Sequence, residues 1–343
     1  MRIIIQVTIT ILFLLTSSVA AFALAEVSVP GADGETAYTF LLNTPDLLIK
    51  QLPREIASVR ERDSTEFIRL LVQYINENAS CDFDRVKKAH DWTALNIRYD
   101  TQSYFSGRYS PQDASAVIRR GSAVCAGYSD VFKMICDALE IECIVVNGYA
   151  RGAGSSVYNF EDITVTNHAW NIVVIKGKRY LIDTTWDAGN VNGRTFQADY
   201  ETSYLFTDPD VFIYNHFPAN NAHQLLNPPI SAEELNDLPF LRPVLFLAAQ
   251  TLPDLRRITE INQGEGFEVV ITLKPGFSLT SGWYSYTGGI VGGRFTPTNR
   301  REGNVYTITM PQFSRGRYIL RIWVRTQGVS GSLFCGEFGF QVR

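Results

Sequence analysis

The sequence has no excess of positive charge to offer a polyanion. Its 343 residues carry 31 Lys and Arg against 35 Asp and Glu, for a formal net charge of −4. Binding to nucleic acid depends mainly on basic side chains that neutralise phosphates. The mildly acidic balance therefore gives no electrostatic case for a nucleic-acid partner.

Spacing typical of metal sites is also missing. The five cysteines and four histidines never stand at the short CxxC or HxxxH separations that zinc sites use. We therefore predict no metal and no cofactor.

Hydrophobic runs of membrane-spanning length are lacking beyond the N-terminus. Arg2 is followed by an apolar stretch over residues 3–15 and then by small residues, AFALA. This pattern predicts a cleaved secretory signal over residues 1–25, with an uncleaved anchor as the alternative. We expect a secreted or periplasmic protein without a stable membrane span after cleavage.

An odd number of cysteines leaves at least one thiol unpaired, and Cys125 is the candidate. Cys136 and Cys143 flank the connection ALEIE. A disulfide could join them, but two buried free thiols are the favoured interpretation.

Three segments in order, GSAVCAGYSD at 121–130, NHAWNIVV at 167–174 and YLIDTTWD at 180–187, supply one Cys, one His and one Asp. A cysteine attacks as the thiolate, which a helix N-terminus or a neighbouring imidazolium stabilises. Apolar residues recur at helical spacing after Cys125, which predicts that it lies in the first turn of an amphipathic helix. The unpaired backbone amides of that turn could also hold an oxyanion.

His168 begins a run typical of a buried strand, and the turn KGK leads to a second strand that ends near Asp183. Asp183 is expected to orient the His168 ring, whose other nitrogen faces Cys125. Counted from Gly177, the two residues are offset by three positions, so a β-bulge or a diagonal contact is required.

These motifs resemble the transglutaminase-like superfamily of papain-type thiol enzymes. The flanking segments KAHDWTALNIRYD, GYSDVFKMICDALEIECIVVNGYARG and YLFTDPDVFIYNHFP resemble the branch typified by kyphoscoliosis peptidase and its bacterial relatives. The resemblance covers roughly residues 60–240. It implies Cys125 as nucleophile, His168 as general base and acid, and Asp183 as the orienting group, without deciding between hydrolysis and acyl transfer.

The other histidines are assigned structural positions. His90 lies on a helix beside Asp91, and His216 and His223 occur in a segment expected to wrap over the surface, away from a nucleophile. Trp170 and Trp186 are expected to pack in the core rather than to contact substrate.

Two connections are expected near the site. The stretch 149–167, with several glycines and serines, is predicted to be a flexible flap over the cleft. Gln102 is a candidate second oxyanion donor by chain order only.

The sequence pattern changes after the proline-rich linker at 226–243. Short alternating segments separated by Gly, Pro or Asn predict a β-sandwich. One inward face would be formed by Tyr318, Leu320, Ile322 and Val324, and another by Phe334, Phe338, Phe340 and Val342, with Cys335 outside that set. Trp283 and Tyr284 are expected to pack at a sandwich edge, with contact to a carbohydrate or partner as the alternative.

The predicted fold class is α+β. It combines a papain- or transglutaminase-like core, with a helical lobe and an antiparallel sheet, and a C-terminal immunoglobulin-like sandwich. The predicted divisions are a signal peptide (1–25), a surface arm with some helix (26–60), a transglutaminase-like domain (61–240) and the sandwich (245–343).

Two function classes follow. The first is a secreted cysteine enzyme acting on amides of a protein or peptide substrate, with cell-envelope components as candidates. Peptide or amide cleavage is favoured over cross-linking. The second is a catalytically silent scaffold that binds envelope or extracellular proteins. The sequence does not define an oligomeric state.

Overall fold

The computed structural model describes residues 26–343 except 153–154, 156, 159–164, 253–255, 288–289, 296–297, 310–313 and 327–330. Most side chains between 281 and 299 are also outside the description. The predicted signal segment, much of the predicted flap, and the side chains of Trp283 and Tyr284 therefore lie outside the described residues.

The helices are α1 (Leu47–Lys50), α2 (Arg54–Ala57), α3 (Ser64–Asn78), α4 (Asp82–Asn96), α5 (Thr101–Ser106), α6 (Ala114–Arg120), α7 (Cys125–Ala138), α8 (Thr184–Asp187), α9 (Pro209–Phe212), α10 (Ala232–Asp237) and α11 (Pro243–Ala248).

The strands of the first two thirds are β1 (Glu26–Pro30), β2 (Thr36–Leu41), β3 (Arg98–Tyr99), β4 (Ser122–Ala123), β5 (Cys143–Ala150), β6 (His168–Ile175), β7 (Lys178–Ile182), β8 (Gly189–Asn192), β9 (Thr195–Ala198), β10 (Leu205–Thr207) and β11 (His216–Pro218). Those of the last third are β12 (Phe240–Leu241), β13 (Ala249–Thr251), β14 (Ile258–Ile261), β15 (Glu268–Leu273), β16 (Phe277–Thr287), β17 (Ile290–Phe295), β18 (Thr298–Glu302), β19 (Val305–Thr309), β20 (Gly316–Thr326) and β21 (Leu333–Val342).

A helical lobe forms around α3, α4 and α7. The Asp63 side chain caps α3 by accepting the N–H groups of Thr65 and Glu66, which satisfies two of the unpaired donors at the helix start. The apolar faces of the three helices share one buried cluster that includes Phe67, Trp92 and Phe132. The helical lobe that the sequence predicts is thus built from α3, α4 and the Cys125 helix.

Residues 26–60 contain helices, as expected, but they do not lie wholly on the surface. Val29, Phe40, Ile49 and Ile56 are buried in the same cluster as the helical lobe. The hairpin of β1 and β2 and the short helices α1 and α2 therefore contribute apolar side chains to the core.

A five-stranded sheet lies against α7, in the order β10-β7-β6-β5-β11, and all of its neighbouring strands are antiparallel. The β6-β7 hairpin turns at Lys176 and Gly177, which both have positive φ, 51° and 78°. Such a two-residue turn matches the twist of the paired strands. It sets the register that brings the start of β6 beside the end of β7.

The C-terminal part is a β-sandwich. One sheet has the order β12-β21-β20-β16-β17, with β14 also paired to β21, and the other has the order β13-β15-β19-β18. Side chains from both sheets form one buried cluster, with Ile271 and Ile308 from the smaller sheet and Leu320 and Phe338 from the larger. The predicted fold class, an α+β core followed by C-terminal β-sheets, is confirmed.

One predicted face of the sandwich is wrong in detail. Cys335 is fully buried in the sandwich core, whereas Phe334 is half-buried on the opposite face. The cause is a register shift, in which Ile322 pairs with Gly336 and the next residue along β20 pairs with Phe334. Gly336 has φ 144° and lies so close to the backbone of β12 that a Cβ would clash. The irregularity reverses the alternation that the sequence predicts.

Polar contacts join the α+β core to the linker before β12 and to the sandwich. The Arg151 guanidinium donates to the carbonyl oxygens of Tyr214 and Leu238, both at 3.0 Å. The Tyr158 hydroxyl donates to the Phe340 carbonyl at 2.6 Å. In the described part of the chain, no helix combines the length and hydropathy that crossing a bilayer requires.

Candidate active site

Cys125 is the first residue of α7, and its side chain is partly exposed. The N–H groups of Gly127 and Tyr128 both bond to the carbonyl of Val124. Among the described hydrogen bonds, none uses the N–H of Cys125 or Ala126. These two amides, at the positive end of the helix dipole, suit an anion such as a thiolate or an oxyanion.

The Cys125 thiol lies beside His168 and the backbone of Ala169. Burial opposes the thiolate, but the charge of His168 and the polar interactions with both neighbours outweigh it, so the pKa of Cys125 lies below its ordinary value. A cysteine in this setting is ionised more readily than a free thiol.

His168 lies at the start of β6, and the exposed fraction of its side chain is 8%. Its Nε2 lies 2.7 Å from Asp183 Oδ2, which leaves Nδ1 as the nitrogen that faces Cys125. Burial disfavours the imidazolium, but the negative charges of Asp183 and Cys125 raise the pKa of His168 to about 10. The geometry therefore stabilises a thiolate-imidazolium pair near neutral pH.

Asp183 follows β7 and caps α8. Its Oδ1 accepts the N–H groups of Thr185 at 2.8 Å and Trp186 at 3.1 Å. Burial alone would raise its pKa, but the two imidazoles that contact Oδ2, led by His168, lower it well below the ordinary value. Asp183 is thus a fixed carboxylate, held by the backbone on one oxygen and by imidazole on the other.

The contact between His168 and Asp183 is diagonal, one of the two arrangements that the sequence left open. Asn171 pairs with Ile182, and the β6-β7 ladder continues without a register shift. Asp183 would therefore lie opposite Trp170, two residues from His168 and on the same face of the sheet. No bulge is needed in this hairpin.

His216 is the functional residue that the sequence analysis missed, and its predicted surface position is wrong. It is 1% exposed, and its Nε2 lies 3.0 Å from the same oxygen of Asp183 that contacts His168. Pairing of β11 with β5 places His216 opposite Ala150 at the edge of the sheet. The sequence did contain one signal for His216, the polar pair Asn215-His216 inside the apolar run VFIYNHF. Buried polar residues are rarely without a specific partner. His223, by contrast, is half-buried on a short 3₁₀ helix.

A cavity of about 390 Å³ lies beside the triad. His168 and Trp186 line it from the core, and Phe240, Phe334 and Glu337 line it from the sandwich. The C-terminal domain thus supplies one wall of the candidate cleft. Pockets of this size that combine aromatic walls with a few polar groups are typical of ligand sites.

His90 has the structural position that the sequence predicted. It is fully buried, with Nδ1 3.0 Å from Asp91 Oδ1 and Nε2 3.0 Å from Asp187 Oδ2. Lys87 pairs with the other oxygen of Asp91 at 2.6 Å. The cluster ties α4 to α8 behind the candidate site.

The other residues that the sequence analysis considered are two tryptophans, Gln102 and two cysteines. Trp170 is buried in a core cluster with Phe212, as expected, whereas Trp186 is only partly buried, lies in α8 and lines the cavity. Gln102 is exposed on α5. Cys136 and Cys143 are free and buried, which is the interpretation the sequence favoured.

Within the described residues, side-chain atoms of the kinds that bind metals lie close together at one place. One ligand atom from each of His168, Asp183 and His216 lies within 4.8 Å of the others. The same atoms make the hydrogen bonds of the candidate site. A metal ion bound there would therefore replace those bonds rather than add to them.

Residues 69–183 match the sequence profile of the transglutaminase-like superfamily. This segment runs from α3 to Asp183 and contains all three residues of the predicted triad. The predicted resemblance is confirmed at the level of the superfamily.

Among individual proteins, kyphoscoliosis peptidase from Mus musculus is 31% identical over 170 residues, which are 49% of this chain and 25% of that protein. The chain thus matches about a quarter of the length of this curated relative. A solved structure from Cytophaga hutchinsonii, described as a candidate cysteine protease, is 19% identical, covers 45% of this chain and 48% of that chain, and has a TM-score of 0.29. The first immunoglobulin domain of RIG-5 is 11% identical, covers 28% of this chain and 96% of that chain, and has a TM-score of 0.19.

Proposed function

We propose that this protein is a cysteine enzyme that acts on amide bonds, with Cys125 as nucleophile, His168 as general base and acid, and Asp183 as the orienting group. The observation that carries the proposal is the placement of His168 between Cys125, at a helix N-terminus, and Asp183, to which the ring is hydrogen-bonded at 2.7 Å. The name of the relative, a peptidase, is consistent with this chemistry.

The reaction follows from the geometry. The Cys125 thiolate attacks the carbonyl carbon, and the N–H groups at the start of α7 stabilise the oxyanion. The His168 imidazolium then protonates the leaving amine as the C–N bond breaks, which leaves a thioester and a neutral imidazole. Neutral His168 next accepts a proton from water or from a second amine, whose attack releases the acyl group from sulfur.

Peptide or amide cleavage is the outcome we favour, with transfer to an amine as the rival outcome of the same acyl-enzyme. We place the reaction outside the cytosol, in the periplasm or the extracellular space, because the first 25 residues have the pattern of a secretory signal. Proteins or peptides of that compartment, including those of the cell envelope, are then the substrate class.

The test is a peptide library incubated with the protein in the presence and absence of a fluorescent primary amine, with products identified by mass spectrometry. Hydrolysis gives cleaved or deamidated peptides, and acyl transfer gives peptides that carry the amine. We expect cleavage products, and we expect Cys125→Ala to remove them. Cys81→Ala is the matched control, since Cys81 is the other partly exposed thiol.

A catalytically silent scaffold would behave differently. Its binding to envelope or extracellular proteins would be the same in wild type and Cys125→Ala, and neither protein would turn over any peptide. That result would overturn the proposal, because the ordered triad would then have no chemical consequence.

A further inference from the structure

We propose that His216 is a positioning residue of the active site, which shares the Asp183 carboxylate with His168 and so sets the orientation and basicity of the His168 ring. The inference rests on the proposed function and deepens it, since a residue outside the matched segment 69–183 becomes part of the catalytic apparatus.

The first observation is the sharing of one oxygen atom. Asp183 Oδ2 lies 2.7 Å from His168 Nε2 and 3.0 Å from His216 Nε2. Asp183 is ionised, so each contact is a hydrogen bond in which an imidazole N–H donates to the carboxylate oxygen. Two donors on one oxygen divide its negative charge. His168 therefore receives less of that charge than it would from an unshared Asp183.

The second observation is that the His216 ring is fixed on every side. Its centroid lies 4.0 Å from that of Phe212, 4.4 Å from Trp186 and 5.1 Å from Trp170. The ring is too tightly packed to leave Asp183 by rotating, because close-packed side chains in an interior have few free rotamers.

The third observation is a close contact at the other ring nitrogen. His216 Nδ1 lies 2.8 Å from Asn215 Oδ1, and the Asn215 amide group donates to the Leu241 carbonyl at 2.7 Å and to the Tyr204 hydroxyl at 3.2 Å. Leu241 lies in β12, which belongs to the sandwich. The catalytic carboxylate is thus connected through two side chains to the C-terminal domain.

The charged and titratable groups that face His216 are Asp183, His168, Tyr204 and Arg242. Burial, His168 and Arg242 disfavour a proton on the ring, Asp183 favours one, and the pKa of His216 is lowered to about 4. The lowered pKa favours an uncharged His216 ring whose one proton is on Nε2 and donates to Asp183, so the contact of Nδ1 with Asn215 Oδ1 is a packing contact and not a hydrogen bond. His168 carries the proton that the reaction uses.

The experiment compares His216→Phe, which keeps a ring for packing but has no N–H, with His216→Gln, which can still donate. The probe is iodoacetamide. Its rate of reaction with Cys125, followed by mass spectrometry over a wide pH range, gives the two apparent pKa values of the Cys125-His168 pair. Melting temperature and the fraction of Cys125 that reacts are measured for each variant, so that misfolded protein is not counted.

In His216→Phe we expect the upper apparent pKa, which reports loss of the His168 proton, to rise by about half a unit or more, because Asp183 then interacts with His168 alone. His216→Gln should lie between this variant and wild type. We also expect kcat for any peptide found in the library to fall roughly tenfold in His216→Phe with little change in KM, since only the transition state uses the ring orientation. A purely structural role would lower the melting temperature and leave both apparent pKa values unchanged.

A wild-type measurement covers the case in which His216→Phe does not fold. Nitrogen-15 NMR of the histidines should show hydrogen-bonded Nε2–H signals for both His168 and His216, and alkylation of Cys125 should shift both. An unchanged His216 signal, or unchanged apparent pKa values in both folded variants, would overturn the inference. If wild type itself shows a single apparent pKa near that of a free thiol, the proposed function fails instead.

Discussion

Two buried clusters of histidine and aspartate lie at opposite ends of the same short helix, and they differ in their ratio of carboxylate to imidazole. At the start of α8, Asp183 is shared by His168 and His216. At its end, Asp187 joins Asp91 in contacting the single ring of His90. The first cluster has a thiol beside it and borders the cavity, and the second is fully enclosed.

Both histidines are buried beside a carboxylate, so these two features do not distinguish them; the occupancy of their ring nitrogens does. Asp187 and Asp91 raise the pKa of His90 against the effect of burial, and both ring nitrogens are occupied. His90 therefore has no nitrogen left for a substrate. His168 uses one nitrogen for Asp183, and its other nitrogen faces the nucleophile. Under the proposed function, this difference gives the first cluster a chemical role and the second a stabilising one.

The largest expected effect comes from replacing Asp183 with asparagine. The same replacement at Asp187 is the comparison. Asp183→Asn should lower kcat on the order of a thousandfold, because an amide neither stabilises the His168 imidazolium nor fixes its tautomer. Asp187→Asn, the matched change at the other end of α8, should leave kcat within about threefold of wild type. The check is kcat per alkylatable Cys125 in both variants. Equal losses would mean that the two clusters do not have separate roles.

His90→Gln should have its main effect on stability. Removal of one member of a buried charged cluster leaves the others without a partner and should lower the free energy of unfolding by about 3 to 5 kcal/mol. Denaturant titration measures this loss, and Cys125→Ala, with a wild-type midpoint expected, is the control. A change of less than about 1 kcal/mol would contradict the assignment, since that is the size of an ordinary surface effect.

The pH dependence of stability also tests the stabilising role of His90. His90 has a folded pKa raised above 6.5, so its contribution to stability is fully present below the unfolded value and is lost as pH rises through the folded value. Wild type should therefore lose melting temperature as pH rises from the unfolded value of 6.5 to the folded value, and His90→Gln should lose less over the same range. Parallel curves for the two proteins would show that His90 does not carry this dependence.

A smaller effect is expected at the cleft wall. Phe334→Ala should raise KM roughly three- to tenfold and leave kcat nearly unchanged, because it removes apolar contact area that does not touch the reacting atoms. Val270→Ala, an exposed apolar residue of the smaller sheet, is the control. A kcat change without a KM change would place Phe334 in the chemistry rather than in substrate binding.

The triad could be predicted because each of its members lies in a local pattern. Cys125 begins an amphipathic helix, His168 begins a buried strand, and Asp183 ends the partner strand of a short hairpin. Periodicity and hairpin geometry are set by residues close in sequence, which is why a single sequence reveals them.

His216 could not be placed in this way. It lies 33 residues after Asp183, and only the pairing of β11 with the far edge of the sheet brings the two together. The same limit applies to Phe334, whose face is reversed by the irregularity at Gly336. Pairing and bulges between distant strands depend on tertiary packing, which local alternation does not contain.

The most direct test of the central claim is the ultraviolet absorbance of the Cys125 thiolate, taken as the difference between wild type and Cys125→Ala while pH is lowered. We predict a thiolate signal that persists well below neutral pH and that His168→Gln shifts toward the pKa of an ordinary thiol, about 8.5. A wild-type signal that disappears near that ordinary value would contradict the existence of the Cys125-His168 ion pair.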